Sequence, residues 1–121
     1  MKDNVSGCAV EEAMRLLGGR WRIVLLSYLM AGPKRFSEIR RAVPNISQRM
    51  LTLDLRALEE AGLLTRTIYA QVPVKVEYRL TEEGLRLQEL VEMLRGIGLR
   101  LRGQADGGGA FLLSDGEEHS Q

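Results

Sequence analysis

KRFSEIRRAVPNISQRMLTLDLRALEEA, residues 34–61, reads as two short helices separated by a Pro-Asn turn. Pro44 disfavours helical geometry at Val43, so the first helix should stop there. Ser37 is expected to cap that first helix and Ser47 the second, each hydroxyl taking an orphan backbone N–H. No Pro or Gly interrupts residues 48–61, so one helix is predicted over that span. Leu51, Leu55 and Leu58 recur at i, i+4 and i+7 and make one apolar stripe. At about 100° per residue, Arg49, Thr52, Leu53, Arg56 and Glu60 fall on the opposite side. Helix, tight turn, helix is the helix-turn-helix pattern, whose second helix can enter a DNA major groove. The other reading of that surface is a solvated face with incidental arginines, and the surrounding charge separates the two.

A net charge of +1 conceals a strong asymmetry. Residues 20–56 carry eight basic side chains (Arg20, Arg22, Lys34, Arg35, Arg40, Arg41, Arg49 and Arg56) against two acids, Glu38 and Asp54, a net of +6. Residues 103–121 carry four acids and no Lys or Arg, a net of −4. Positive charge concentrated in a helix-turn-helix stretch is the electrostatic footprint of phosphate binding. A chain of 121 residues supports one domain with a real core. Its 45% hydrophobic and 27% charged residues fit a soluble globular protein. The longest apolar run, residues 23–31, is too short to span a bilayer, and the first twenty residues lack the pattern of a secretion signal. A single cysteine excludes an internal disulfide, so a cytoplasmic location is expected.

Around this stretch, residues 1–7 are expected to be mobile. Residues 8–17 should form a helix, with Glu11 and Glu12 in its favourable first turn and Gly18-Gly19 at its end. The nearly all-apolar residues 21–30 should form the buried central helix. Gly62 is a good stop for the helix of residues 48–61. Residues 63–69 and 74–80 read as strands, the second by strict alternation, joined by Ala70-Gln71-Val72-Pro73 into a β-hairpin. A hairpin directly after a helix-turn-helix is a wing. Arg66, Lys75 and Arg79 are its cations, either reaching a phosphate or simply solubilising the strands. Thr81 should cap the last helix. Its Leu87, Leu90, Leu94, Ile97 and Leu101 follow a heptad-like spacing, while Leu85, Val91, Met93 and Leu99 lie off that seam. A monomer of this size cannot readily cover both faces, so a dimer is expected. Residues 103–121, with Gly107-Gly108-Gly109 and an acidic end, suggest a flexible tail. The expected fold is thus mainly α with a small β-hairpin, a winged helix-turn-helix spanning residues 8–102.

At this level of detail the chain resembles the HxlR family of winged-helix regulators. The resemblance rests on Gly18-Gly19-Arg20-Trp21, on GPKRFSEIRR at 32–41 and on ISQRML at 46–51. LEEAGL at 58–63 and VEYRLTEEG at 76–84 extend it, so that it covers about residues 8–101 in order and spacing. It implies a bacterial transcription regulator acting as a homodimer through its first and last helices. Val10, Met14, Leu17, Leu87, Leu90, Leu94, Ile97 and Leu101 would then form the interface. It also implies that Gln48, Arg49, Thr52, Leu53 and Arg56 face base edges of double-stranded DNA. Lys34, Arg35, Ser37, Arg40, Arg41 and Ser47 would face phosphates, with Arg66, Lys75 and Arg79 in the wing. Leu53-Asp54 departs from the polar pair often found in the family's recognition helix. Leu53 could meet a thymine methyl, whereas Asp54 beside phosphates would be repulsive.

Several family members use a cysteine near the N-terminus to sense oxidants, quinones or aldehydes, and Cys8 matches that position, with Ala9 where the family has proline. Cys8 is accordingly either a redox sensor or an inert packed thiol. The competing function is a winged-helix module for protein–protein assembly without DNA. An enzyme is the weakest reading, because the only histidine is His119 and no nucleophile–base, metal-ligand or phosphate-loop pattern is present. No cofactor is expected. A small-molecule effector could sit between the dimer helices and the DNA-binding lobes, although no residue pattern specifies one.

Overall fold

The computed structural model describes residues 7–107, and the readings for residues 1–6 and 108–121, His119 included, lie outside them. In chain order the elements are α1 (Ala9–Leu17), α2 (Arg22–Leu29), β1 (Lys34–Arg35), α3 (Phe36–Ala42), α4 (Gln48–Glu60), β2 (Leu64–Tyr69), β3 (Lys75–Leu80), α5 (Glu82–Leu85) and α6 (Gln88–Gly107). They divide into two compact units, Met1–Gln88 and Glu89–Gln121.

The first unit is built on the leucine stripe of α4. Leu51, Leu55 and Leu58 are fully buried with Leu25, Leu26 and Leu29 of α2, Ile39 of α3 and Leu64 of the sheet, and Tyr78 and Leu80 join this core. The spacing that predicted this helix therefore also defines the core. Ser47 caps α4 as expected, its hydroxyl accepting the Met50 N–H at 3.0 Å. At the other end Gly62 adopts φ +82°, the left-handed conformation that admits glycine without penalty. There its N–H reaches the Glu59 carbonyl and the Leu63 N–H reaches that of Leu58, both at 3.0 Å. This pair of bonds satisfies the last carbonyls of α4 and turns the chain directly into the wing.

Two expectations are corrected. Ser37 does not cap α3, which begins one residue earlier. Its N-cap is Arg35, whose backbone N–H donates to Glu38 Oε1 at 2.7 Å. The reason is β1: Lys34 and Arg35 pair antiparallel with Tyr78 and Glu77, holding the chain extended up to Arg35. The expected hairpin of β2 and β3 is present, and β1 adds to it. The wing is thus part of a three-stranded sheet in the order β1-β3-β2, with Leu64 opposite Leu80 and Tyr69 opposite Lys75. Thr81 caps a separate short helix, α5, its hydroxyl accepting the Gly84 N–H at 3.1 Å, and α6 starts afresh at Gln88. Between them Leu87 packs against the core, an anchoring that a heptad pattern does not reveal. α6 runs to Gly107.

Gly84 explains why α5 can lie so close to the end of α4. A Cβ at this position would come within 2.1 Å of the Leu63 carbonyl oxygen. Nearby the Thr81 N–H donates to the same carbonyl at 3.0 Å, and the Thr81 hydroxyl donates to that of Gly62 at 2.6 Å. The base of the wing is thus tied to the end of α4.

Candidate nucleic-acid interface

Gln48, Arg49, Thr52, Leu53 and Arg56 are all exposed, on the side of α4 opposite its buried leucines. Among the described residues, Arg41, Arg49 and Arg56 form no ion pair within 4.0 Å. Gln48 is contacted by Arg40, whose Nη1 lies 3.4 Å from its Oε1. Leu53 is 49% exposed, an apolar side chain in the middle of an otherwise polar face.

Asp54 does not face the phosphate side of the helix. It is buried, with 6% of its surface exposed, and its Oδ1 accepts a hydrogen bond from Arg22 Nε at 3.0 Å. Arg22 Nη1 also donates to the Leu16 carbonyl at 2.8 Å, so one guanidinium joins the end of α1, the start of α2 and the middle of α4. The expected repulsion between Asp54 and phosphate is therefore removed: the carboxylate points inward and is neutralised. Sequence spacing could not expose this pair, whose members are 32 residues apart.

The remaining cations fall into two sets. Lys34 sits on β1 with Nζ 5.1 Å from the centre of the Tyr28 ring, while Arg35 and Arg41 are exposed, as is the uncharged Ser37. Ser47 is exposed too, but its hydroxyl is engaged as the α4 cap. In the wing every cation has an acid nearby: Arg66 lies 3.7 Å from Glu59, Lys75 3.9 Å and Arg79 3.6 Å from Glu77. Lys75 also stands over the Tyr69 ring. The wing cations each have an acid within 4.0 Å, whereas Arg49 and Arg56 of α4 have none.

Two titrating groups mark the junction between β1, α3 and the sheet. The Arg35 N–H holds the Glu38 carboxyl below its ordinary value, burial opposes this, and the charges of Arg35, Lys34 and Arg41 reinforce it. Burial pushes the Tyr78 phenol above its ordinary value, with Arg66 pulling against it. A groove of about 500 Å³ opens in the same region, and Arg35, Ser37, Arg66 and Lys75 all line it. The structure so brings together four residues assigned separately to the helix-turn-helix and the wing.

The interface residues expected in the terminal helices divide as well. Leu17 and Leu87 pack against the first unit's own core. Val10 and Met14 are exposed, and no residue of α1 is buried. In the second unit Leu94 and Leu101 are exposed, as are Met93 and Leu99 off the seam, while Leu90 and Ile97 are half-buried. Cys8 is a free, half-buried thiol at the N-cap of α1. Among the described residues no cluster of His, Cys, Asp or Glu could hold a metal ion, and no helix is long and apolar enough to cross a membrane.

Residues 16–105 match the family model described as HxlR-like helix-turn-helix. The chain belongs to this family. It is similar to the uncharacterized HTH-type transcriptional regulator YdeP of Bacillus subtilis, 44% identical over 104 residues, covering 86% of this chain and 81% of the relative. Among solved structures, the redox regulator HypR in its reduced form is 43% identical with a TM-score of 0.75, covering 82% of this chain and 98% of that one. The reduced form of the B. subtilis transcriptional regulator YodB is 38% identical with a TM-score of 0.68, covering 85% and 98%. The HxlR-like chain is thus a transcriptional regulator of the helix-turn-helix class with a winged fold, as its sequence implied.

Proposed function

We propose that this regulator binds a pseudo-palindromic operator as a homodimer in the cytoplasm, reading bases with α4. The observation that carries the reading is the exposed face of α4, where Arg49 and Arg56 stand without ion-pair partners beside Gln48, Thr52 and Leu53. Unpaired arginines suit guanine edges, and an apolar Leu53 suits a thymine methyl. Lys34, Arg35, Ser37, Arg40, Arg41 and Ser47 flank that face and contact phosphates, through backbone N–H groups where a side chain is already engaged. Arg66, Lys75 and Arg79 contact the backbone from the wing, more weakly because their acids must be displaced. The exposed apolar side chains of α1 and of α6 are each covered by a second copy. Selection of bound duplexes from a random pool at two salt concentrations tests the proposal. Two-fold related half-sites about one helical turn apart, or a multiple of it, are expected. A monomer that binds no duplex at low salt refutes it, and salt-indifferent binding to a protein partner would favour the assembly-module alternative.

The likeness to HypR, named a redox regulator, favours a second property of the same molecule: Cys8 responds to oxidants. Two Cys8 thiols, one from each copy, would lose two electrons and two protons to the oxidant as they form an intermolecular disulfide. Mass spectrometry after mild peroxide treatment checks this. An unmodified Cys8 with unchanged DNA binding ends the idea.

A further inference from the structure

The groove between the start of α3 and the wing has a lining that a DNA phosphate alone does not account for. Three cationic side chains, Arg35, Arg66 and Lys75, border it, and no acid is among its lining residues. Its remaining surface includes Phe36, Tyr78 and Val74. The two rings lie 6.5 Å apart at a 45° tilt, as an aromatic pair does. Tyr78 belongs to the core, but phosphate oxygens would use the cations and leave the outward surface of Phe36 and Val74 without a partner. At about 500 Å³, the groove falls in the size range of small-ligand sites, which combine apolar walls with a few well-placed polar groups.

We propose that this groove is an effector site for a small aromatic anion, such as an aromatic carboxylate, and that its occupation opposes DNA binding. The ring of the ligand lies against Phe36 and Val74, and its carboxylate faces Arg35, which among the described residues has no ion-pair partner to surrender. Arg66 and Lys75 are held by Glu59 and Glu77 at 3.7 and 3.9 Å and contribute at longer range. Competition follows from shared groups. Arg35, Arg66 and Lys75 are among the cations assigned to phosphates, and a bound anion neutralises them where the duplex backbone would. This deepens the DNA-binding reading, because it names the chemistry that would release the regulator.

The test uses the full-length protein and three probes, 1-naphthoate, the neutral 1-naphthamide and inorganic phosphate, followed by amide shifts in NMR without DNA. Naphthoate should shift the amides of Arg35, Phe36, Val74 and Lys75 and bind at least about tenfold tighter than either other probe. Arg35→Ala should weaken it about tenfold by removing the anion's main partner. Val74→Glu, at a position 64% exposed and so tolerant of a polar side chain, should do the same by placing a carboxylate in the groove. Equal affinity for naphthamide, phosphate as tight as naphthoate, or no shifts in the groove would each overturn the proposal. A second arm measures the selected duplex with and without saturating naphthoate. An unchanged duplex affinity overturns the competition. If no duplex binds at all, the DNA reading fails while the NMR arm still judges the groove.

Discussion

Asp54→Ala should be the most damaging change at a polar position of the recognition helix, although Asp54 faces no ligand. The substitution leaves the Arg22 guanidinium without its carboxylate in a place where the two side chains are only 23% and 9% exposed. Removing one member of a fully buried pair costs about 3–5 kcal/mol. Arg22 retains the Leu16 carbonyl at 2.8 Å and some access to water, which discounts the loss. The expected destabilisation is therefore about 2–3 kcal/mol, a large share of the roughly 5–15 kcal/mol that holds a domain together. In a thermal melt it corresponds to a fall of about 10–20 °C. Urea denaturation followed by far-UV circular dichroism measures it. The double variant Arg22→Met with Asp54→Leu should recover at least half of the loss, since an apolar pair of similar volume can replace a buried ion pair. Asp54→Asn adds a functional readout: a carboxylate facing phosphates would make this variant bind DNA more tightly, and an inward one would not. A loss under about 0.5 kcal/mol in Asp54→Ala, or a gain in duplex affinity for Asp54→Asn, refutes the reasoning.

Arg49→Ala should cost about 1–3 kcal/mol in operator affinity and relax specificity at one base pair, whereas Arg41→Ala should weaken all sequences alike and flatten the salt slope by about one unit. Fluorescence anisotropy across a salt series separates them, and equal slopes would contradict the division between base and phosphate contacts. Ser47→Ala removes the acceptor of the Met50 N–H and should destabilise by about 1 kcal/mol, read by urea midpoint. Gly84→Ala should destabilise far more than an exposed helix Gly→Ala change, because the new methyl meets the Leu63 carbonyl rather than open space; a neutral or stabilised melt would show that α5 moves away freely. Glu38 has a folded-state pKa below its ordinary value of 4.5. Its contribution is therefore complete above that value and lost as pH falls through the folded one, so Glu38→Gln should narrow its gap to wild type in acid melts below about pH 4.

Much of this molecule was legible in 34–61 because local and tertiary preferences agree there. The leucines of α4 repeat without a breaker, Ser47 and Gly62 mark its ends, and all five residues expected on its outer face are exposed. What escaped was decided by contacts between distant parts of the chain. β1 is two residues long and has no alternation to detect, and only its pairing with β3 makes it a strand. The break between α5 and α6 contains no Pro or Gly. It follows from Leu87 packing inward and from the approach of Gly84 to Leu63. Asp54 lies next to the leucine stripe, where a carboxylate is normally solvated, and only Arg22 of α2 reveals that it turns inward.

That inward turn alters the meaning of the charge count. Residues 20–56 contain two acids, and both are engaged within the fold, Asp54 by the Arg22 guanidinium and Glu38 by the Arg35 backbone N–H. The Arg22–Asp54 pair cancels within the protein, so it leaves the net +6 unchanged while removing its only acid from the middle of the reading helix. Arg41, Arg49 and Arg56 remain exposed without ion pairs, and their positive potential is not offset by a facing carboxylate on α4 between Gln48 and Arg56. A solvated helix face chosen only for solubility gains from interspersed charges of both signs. Here the acid within residues 48–56 is buried and the exposed acid of that face, Glu60, lies at the C-terminal end of α4, so the counter-charge for Arg49 is left to a ligand.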